Sequence, residues 1–401
     1  MKPRFVDPFT PNRPIDDPSR FFGREDSVNE LVDSLFQFAN NNPKHTIITG
    51  DRGVGKSSLL TQVFQTAKGD NQLTDRLSID RGMSKYNFLC VWHDVDSSQG
   101  TEEVALGILQ KFDGELKRVL SGVNIEINLG EFVKLSPDKA AKSSVSAFVD
   151  QFTERLCKLS RKATEQGKNG VLIFIDEIDR VKLDSGVSTF FKLTCEKLSR
   201  DGVKNVGFIC AGITGAIQKL EEEHASILRT FRDVPLLPFD EDEVAEILMG
   251  GFCVAKHSCD ITELKTKLFE ITIGLPEPTH LLGSEMLSVD TDGVLDTSDL
   301  ENAIRKIVTD VRKNKLTSIL KKAGTGKYQK ILEAMASYEK KIVPLDFISK
   351  KIGQEQYQFS TNMSTLIDRE VLSKPSIGLY AFCDPMLKEY IRTFGVLSLE
   401  E

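Results

Sequence analysis

The stretch Gly50-Asp51-Arg52-Gly53-Val54-Gly55-Lys56-Ser57 decides how this chain is read. Two glycines separated by four residues and followed by Lys-Ser form the P-loop pattern. Before it, His45-Thr46-Ile47-Ile48-Thr49 reads as a short buried strand. After it, from about Lys56, the residues Leu59, Leu60, Val63 and Phe64 recur at helical spacing. Strand, glycine loop and helix in that order give the pattern its mechanical sense. Glycines permit backbone angles that turn amide N–H groups inward around phosphate oxygens, and the helix N-terminus adds a positive dipole end. The nucleotide-binding candidates are therefore Gly50, Asp51, Arg52, Gly53, Val54, Gly55, Lys56, Ser57 and the adjoining Ser58. Lys56 is expected to reach the β and γ phosphates of ATP, and the Ser57 hydroxyl to ligate Mg²⁺. A lookalike, Gly324-Thr325-Gly326-Lys327, fails the pattern: Lys321 stands where the first glycine is required, and Tyr328 where Ser or Thr is required.

The second signal is Val171-Leu172-Ile173-Phe174-Ile175-Asp176-Glu177. An apolar strand ending in Asp-Glu puts two carboxylates at the carboxyl edge of a sheet, beside the phosphate loop. Asp176 is expected to hold Mg²⁺, and Glu177 to polarise the attacking water as general base. Asp179 reads as a helix cap, with a catalytic role as the alternative.

Outward from these motifs, strands alternate with helices. Strand candidates are Phe88 to Trp92, Val206 to Cys210, and a run near Val234 to Leu237. Helix candidates are residues 24–41, Glu102 to Leu120 and Ser143 to Glu165. Several strands are uniformly apolar, so the fold class is α/β with a buried parallel sheet flanked by helices. Residues 121–136 differ: Val123, Ile125, Ile127 and Leu129 alternate with polar residues before Gly130, a β-hairpin pattern that reads either as an edge cover of the sheet or as a pore or interface element. After residue 238 the pattern turns helical, opened by an Asp240/Glu243 capping box, with a further helix starting near Ser298. Gly324-Thr325-Gly326 then starts a third unit. It holds a helix with Ile331, Leu332 and Met335, a short helix from Pro344 to Gly353, a helix placed between Phe359 and Ser373, and a strand or tight hairpin at Ile377 to Phe382. That order is the winged-helix pattern. The expected domains are thus an extended Pro-rich arm (1–20), a nucleotide domain (21–238), a helical lid (239–323) and a winged helix (324–401). The arm reads either as a flexible tail or as a strap on a neighbouring domain or subunit.

Composition narrows the class. The chain has 401 residues, 40% of them hydrophobic and 28% charged, which excludes disordered and collagen-like proteins. The longest apolar run is far short of the ~20 residues that span a bilayer, and no apolar stretch follows Met1-Lys2-Pro3-Arg4-Phe5, so neither a membrane span nor a secretory leader is expected. Seven scattered cysteines fit a reduced, cytoplasmic setting. Cys253, His257 and Cys259 lack a fourth zinc ligand and read as ordinary thiols and a histidine. The net charge is -7, yet residues 301–401 carry 17 Lys and Arg against 12 Asp and Glu. A basic face there could contact DNA phosphates, through residues 305–330 and 359–382, or it could simply be solvated. Asn362 and Arg369 are residue types that read base edges, but Asp368 and Glu370 lie beside them. Winged helices also dock proteins, so a protein effector stays open as a partner.

Taken together, these residues resemble the AAA+ superfamily of P-loop ATPases, in particular its replication-initiator/archaeal-ATPase group, with features of the STAND signalling ATPases. The resemblance spans about residues 20–290 at domain level. It implies that Phe22, Gly23 and Arg24, within Asp17 to Glu25, border the adenine. It implies that Thr214, after the strand ending Ile209-Cys210-Ala211-Gly212-Ile213, is the polar sensor near the γ-phosphate. It further implies that Arg229 or Arg232 acts as an arginine finger in a neighbouring subunit's site; plain surface ion pairing is the alternative. Gly274-Leu275-Pro276 has the Gly-x-Pro form of the STAND group, with Pro276 at the nucleotide. Glu277 stands where AAA+ proteins often carry a second sensor arginine, which favours a nucleotide-gated switch over fast turnover. The resemblance implies an oligomerising ATPase that acts on DNA, in replication, transposition or mobile-element control. The alternative is a signalling switch, for instance in antiviral defence, that docks a protein effector.

Overall fold

The computed structural model describes residues 6–119, 143–182, 185–223 and 227–396. The chain forms two compact units: Pro14–Leu237, and Met1–Arg13 together with Pro238–Glu401. The hairpin expected at 121–136 lies outside the described residues.

The first unit is built on α1 (Glu25–Ala39), β1 (His45–Thr49), α2 (Lys56–Lys68), α3 (Gln72–Arg76), β2 (Leu89–Asp94), α4 (Thr101–Val119), α5 (Ser143–Glu165), β3 (Val171–Asp176), α6 (Val187–Arg200), β4 (Val206–Gly212), α7 (Ala216–Glu223) and β5 (Phe231–Pro235). The five strands make one parallel sheet in the order β2-β3-β4-β1-β5. Every residue of β1, β3 and β4 is buried, which is why β3 up to Asp176 and β4 read as apolar runs, while β1 also buries His45, Thr46 and Thr49. Strand period then sorts the side chains. Ile173 and Ile175 join a core with Ile108, Phe112, Phe152, Phe190 and Phe208. Phe174 faces the other way, 5.1 Å from the Phe64 ring of α2 and stacked on Trp92. β5 lies earlier than the apolar run near Val234 suggests. It is an edge strand, where Pro235 is tolerated, and Leu237 is already exposed.

In the second unit come α8 (Glu241–Val254), α9 (Ile261–Thr272), α10 (Pro276–Val289), α11 (Thr297–Lys306), a π-helical turn at Ile307–Val311 and α12 (Lys313–Ala323). The short strands β6 (Ser258–Cys259) and β7 (Val294–Leu295) pair in parallel. The capping box at α8 forms as its sequence dictates: Glu243 N–H donates to Asp240 Oδ1 at 2.8 Å, and Asp240 N–H to Glu243 Oε2 at 2.9 Å.

The same unit continues with α13 (Lys327–Ala336), β8 (Val343–Pro344), α14 (Leu345–Ile352), α15 (Ser360–Asp368), β9 (Leu372–Ser376), β10 (Leu379–Phe382) and α16 (Pro385–Phe394). β10 lies between β8 and β9, antiparallel to both. α15 is shorter than the Phe359 to Ser373 stretch read from the sequence. Glu370, at φ 56°, takes the left-handed conformation that ends the helix, and Ser373 is already in a strand. Among the described residues, no helix is long and apolar enough to cross a membrane.

Candidate functional site

The phosphate loop joins β1 to α2. Gly53 and Gly55 have φ of +84° and +97°, and Gly55 is the residue immediately before α2. Gly50 serves a different need: a Cβ there would lie 2.5 Å from the Leu236 carbonyl oxygen. Val54 is buried beneath the loop, while Asp51, Arg52 and Gly53 are exposed. Lys56 Nζ donates to the carbonyls of Gly50 and Asp51, each at 2.8 Å. Burial pushes its ammonium pKa down, opposed by Asp176, Asp179 and Asp51. Ser58 Oγ accepts from the backbone N–H of Ile15 at 3.1 Å.

β3 delivers its carboxylates to the same edge. Asp176 is 6% exposed and accepts from the Glu177 N–H at 2.8 Å. Burial drives its pKa up, opposed by the Ser57 hydroxyl and the Glu177 N–H. Glu177 sits at φ 58°, a left-handed conformation that costs a non-glycine residue roughly 1–2 kcal/mol. Its carboxylate pairs with Arg180 at 2.8 Å. Its pKa is raised by burial first and by Asp176, Asp179 and Asp94 after that, with Arg180 opposing.

Asp94 escaped the sequence reading. It ends β2 and stands opposite Asp176 in the parallel register, with Trp92 Nε1–H donating to its Oδ1 at 2.7 Å. The signal was available: this strand ends in a carboxylate, as β3 does. Asp179 is also misread from sequence. It lies in a 3-10 turn, Ile178–Arg180, and caps no helix, since Gly186 precedes α6. Its Oδ1 instead accepts from the Ile213 N–H at 2.9 Å.

Thr214 follows β4, exposed, and its N–H donates to the Gly50 carbonyl at 3.1 Å. Arg24, at φ 66°, caps the start of α1; its buried guanidinium donates to the carbonyls of Val54 (3.1 Å) and Leu237. Phe22 is half-buried under the Arg76 guanidinium, and Gly23 has φ of +66°. Arg229 is exposed in a 3-10 turn, and Arg232 pairs with Glu30 of its own chain.

In the second unit, Pro276 opens α10 after a strained turn in which Ile273 has φ of 53° and Gly274 φ of 71°. Glu277 pairs with Arg312, which also reaches Asp384 at 3.3 Å; Lys315 lies 3.0 Å from that same carboxylate. Arg312, read from sequence as part of the basic face, is therefore buried and paired. Arg369 is likewise engaged, lying over the Tyr328 ring and donating to the Ala323 carbonyl at 2.8 Å. Lys313, Lys315, Lys321, Lys322, Lys327 and Lys330 are exposed.

A parallel sheet with a glycine-rich loop opening a helix at its carboxyl edge, and acidic strand ends beside it, defines a P-loop nucleotide domain. Residues 20–209 match the AAA ATPase domain family, so the chain carries a AAA+ P-loop ATPase domain. Residues 318–391 match a domain of unknown function (DUF8462). No curated protein sequence matches the chain. Among solved structures it is similar to the Aeropyrum pernix ORC2 protein in ADPNP-ADP complexes, at 12% identity over 93% of each chain and a TM-score of 0.51. It is also similar to the Aeropyrum pernix ORC1 protein in complex with DNA (12% identity, 94% of each chain, TM-score 0.46). The RuvB Holliday junction branch migration motor of Thermotoga maritima matches at 14% identity over 91% of this chain and 96% of that one, with a TM-score of 0.42.

Proposed function

We propose that this chain is an ATP-binding and ATP-hydrolysing switch that assembles with copies of itself and engages DNA through its basic C-terminal region. The reading rests on the phosphate loop, where Gly53 and Gly55 hold φ of +84° and +97° ahead of α2, in a segment that matches an ATPase family.

In this reading the loop amides and Lys56 hold the phosphates, and Phe22, Gly23 and Arg24 border the base. Ser57, Asp176 and the neighbouring Asp94 offer hard oxygen donors that suit Mg²⁺. Mg²⁺, when bound, neutralises charge on the phosphates. Glu177 takes the proton of the attacking water, and its raised pKa brings it nearer the operating pH. Thr214 senses the γ-phosphate, and Pro276 takes part in nucleotide binding. Arg229 is the better finger acting between subunits, because Arg232 is engaged by Glu30. The segment 324–401 is a winged helix in this reading, and the exposed lysines of residues 305–330, with residues 359–382, face DNA phosphates.

A second reading rests on one observation. Glu277, which stands in the sensor-arginine position, is bound by Arg312, an arrangement that favours a slow signalling switch with a protein effector.

The discriminating experiment is the solution mass of Glu177→Gln with ATP and Mg²⁺, with and without duplex DNA. Assembly that forms or grows only with DNA supports the first reading. Assembly with ATP alone, indifferent to DNA, supports the second. A monomer in both conditions removes Arg229 as a finger between copies.

A further inference from the structure

The chain passes between its two compact units twice, at Arg13/Pro14 and at Leu237/Pro238. On the nucleotide side both passages are fastened to the phosphate loop or to the helix it opens. Leu236 N–H donates to the Thr49 carbonyl, and Arg24 joins the Leu237 carbonyl to that of Val54. At the other passage, Ile15 N–H donates to Ser58 Oγ at 3.1 Å, Gln62 Nε2 donates to the Ile15 carbonyl at 2.9 Å, and Gln65 Nε2 to that of Asp16 at 3.0 Å. Ser58, Gln62 and Gln65 fall on one face of α2 by helical spacing.

On the helical side the arm is socketed. Phe9 is 4% exposed and fills a notch between two glycines. A Cβ on Gly251 of α8 would lie 2.2 Å from its ring, and one on Gly283 of α10 would lie 2.5 Å from it. The ring packs edge-on against Phe252 and His280, each at 5.7 Å. Thr10 N–H donates to His280 Nδ1 at 3.3 Å, and Ser284 Oγ donates to Asp7 Oδ2 at 2.5 Å. Between the anchored residues Thr10 and Ile15 lie Pro11-Asn12-Arg13-Pro14. That tether spans at most about 18 Å, and its two prolines stiffen it.

We propose that residues 7–16 are a strap: a socketed tether that carries displacement of the helical unit to α2 and the phosphate loop, and so couples nucleotide retention to the helical unit. Its consequence for nucleotide rests on the switch reading above; the mechanical coupling does not.

The test uses the full chain. Gly251→Ala evicts Phe9 while favouring the helix it sits in, and Phe9→Ala empties the same notch without touching α2. Hydrogen exchange at the Ile15 amide is the readout. The strap predicts roughly fivefold faster exchange there in both variants. It also predicts that Gly251→Ala adds less than about twofold once a flexible insert of about eight residues follows Asn12. Unchanged exchange at Ile15 in both variants overturns the proposal. Release of a fluorescent ADP analogue is then compared. Faster release in Gly251→Ala supports the nucleotide link, and wild-type release with fast Ile15 exchange overturns that link alone. A wild-type chain that binds no analogue defeats the switch reading, and the Ile15 exchange still decides the strap.

Discussion

The backbone N–H of Thr214 donates to the carbonyl of Gly50 at 3.1 Å, so the end of β4 is fastened to the first residue of the phosphate loop. Asp179 stiffens the same joint from the side by accepting the Ile213 N–H at 2.9 Å. Removing that carboxylate leaves a part-buried amide without its acceptor, at a cost of about 1–3 kcal/mol. Asp179→Ala is therefore expected to lower the thermal midpoint and to slow ATP turnover more than it weakens ATP binding. Equal losses in kcat and in affinity would show that the joint serves binding rather than positioning.

The loop glycines are required for different reasons, and the two substitutions separate them. Gly53→Ala meets no atom within 4 Å but must hold φ of +84°, which costs roughly 1–2 kcal/mol. Gly50→Ala drives its Cβ to within 2.5 Å of the Leu236 carbonyl, a contact that only backbone movement relieves, and 2.9 Å of Val54 Cγ2. Differential scanning calorimetry should show a larger drop for Gly50→Ala than for Gly53→Ala. The reverse order contradicts the close approach of Leu236.

Asp94, Asp176 and Glu177 crowd negative charge at the sheet edge. The carboxyls of Asp176 and Glu177 are raised above their ordinary values, with burial the first cause. The native chain then holds more protons than the unfolded one just above the ordinary carboxylate pKa of about 4, and these groups lose stability as pH rises through that window. Relieving the charge should stabilise the fold at pH 7. Asp94→Asn keeps an oxygen for Trp92 and is expected to raise the thermal midpoint by ~1–3 °C. A lower midpoint would mean that Asp94 is held by more than the Trp92 contact.

Two histidines act with the opposite sign. Burial pulls His45 and His280 down to about 4. Each accepts a backbone N–H on Nδ1, His45 from Phe208 at 3.2 Å and His280 from Thr10 at 3.3 Å. Both are neutral in the fold and protonate more readily when unfolded. Their contribution is complete above the unfolded value of about 6.5 and is lost as pH falls towards about 4. Urea midpoints should therefore decline across that interval. His280→Asn, which keeps an acceptor near Nδ1, should decline less steeply than wild type.

Most of the nucleotide unit was legible because its signals are local. The apolar runs of β3 and β4 announce a parallel sheet, and the loop glycines announce the turn that follows β1. What the sequence concealed depends on partners distant along the chain. Asp94 acquires its meaning only from strand register opposite Asp176. Asp179 looks like a cap until β4 brings Ile213 to it. Arg312 and Arg369 read as basic surface, yet one is buried against Glu277 and Asp384 and the other lies on Tyr328. The fate of the arm turns on Gly251 and Gly283, whose missing side chains make the notch for Phe9 and leave no periodic signal.

ATP binding and turnover measured together on wild type, Lys56→Ala and Glu177→Gln decide whether this site binds and hydrolyses ATP. Lys56→Ala is expected to weaken ATP binding at least about tenfold, and Glu177→Gln to bind ATP like wild type but lose most of its phosphate release, on the order of a hundredfold. Unchanged affinity in Lys56→Ala together with normal turnover in Glu177→Gln would contradict the site.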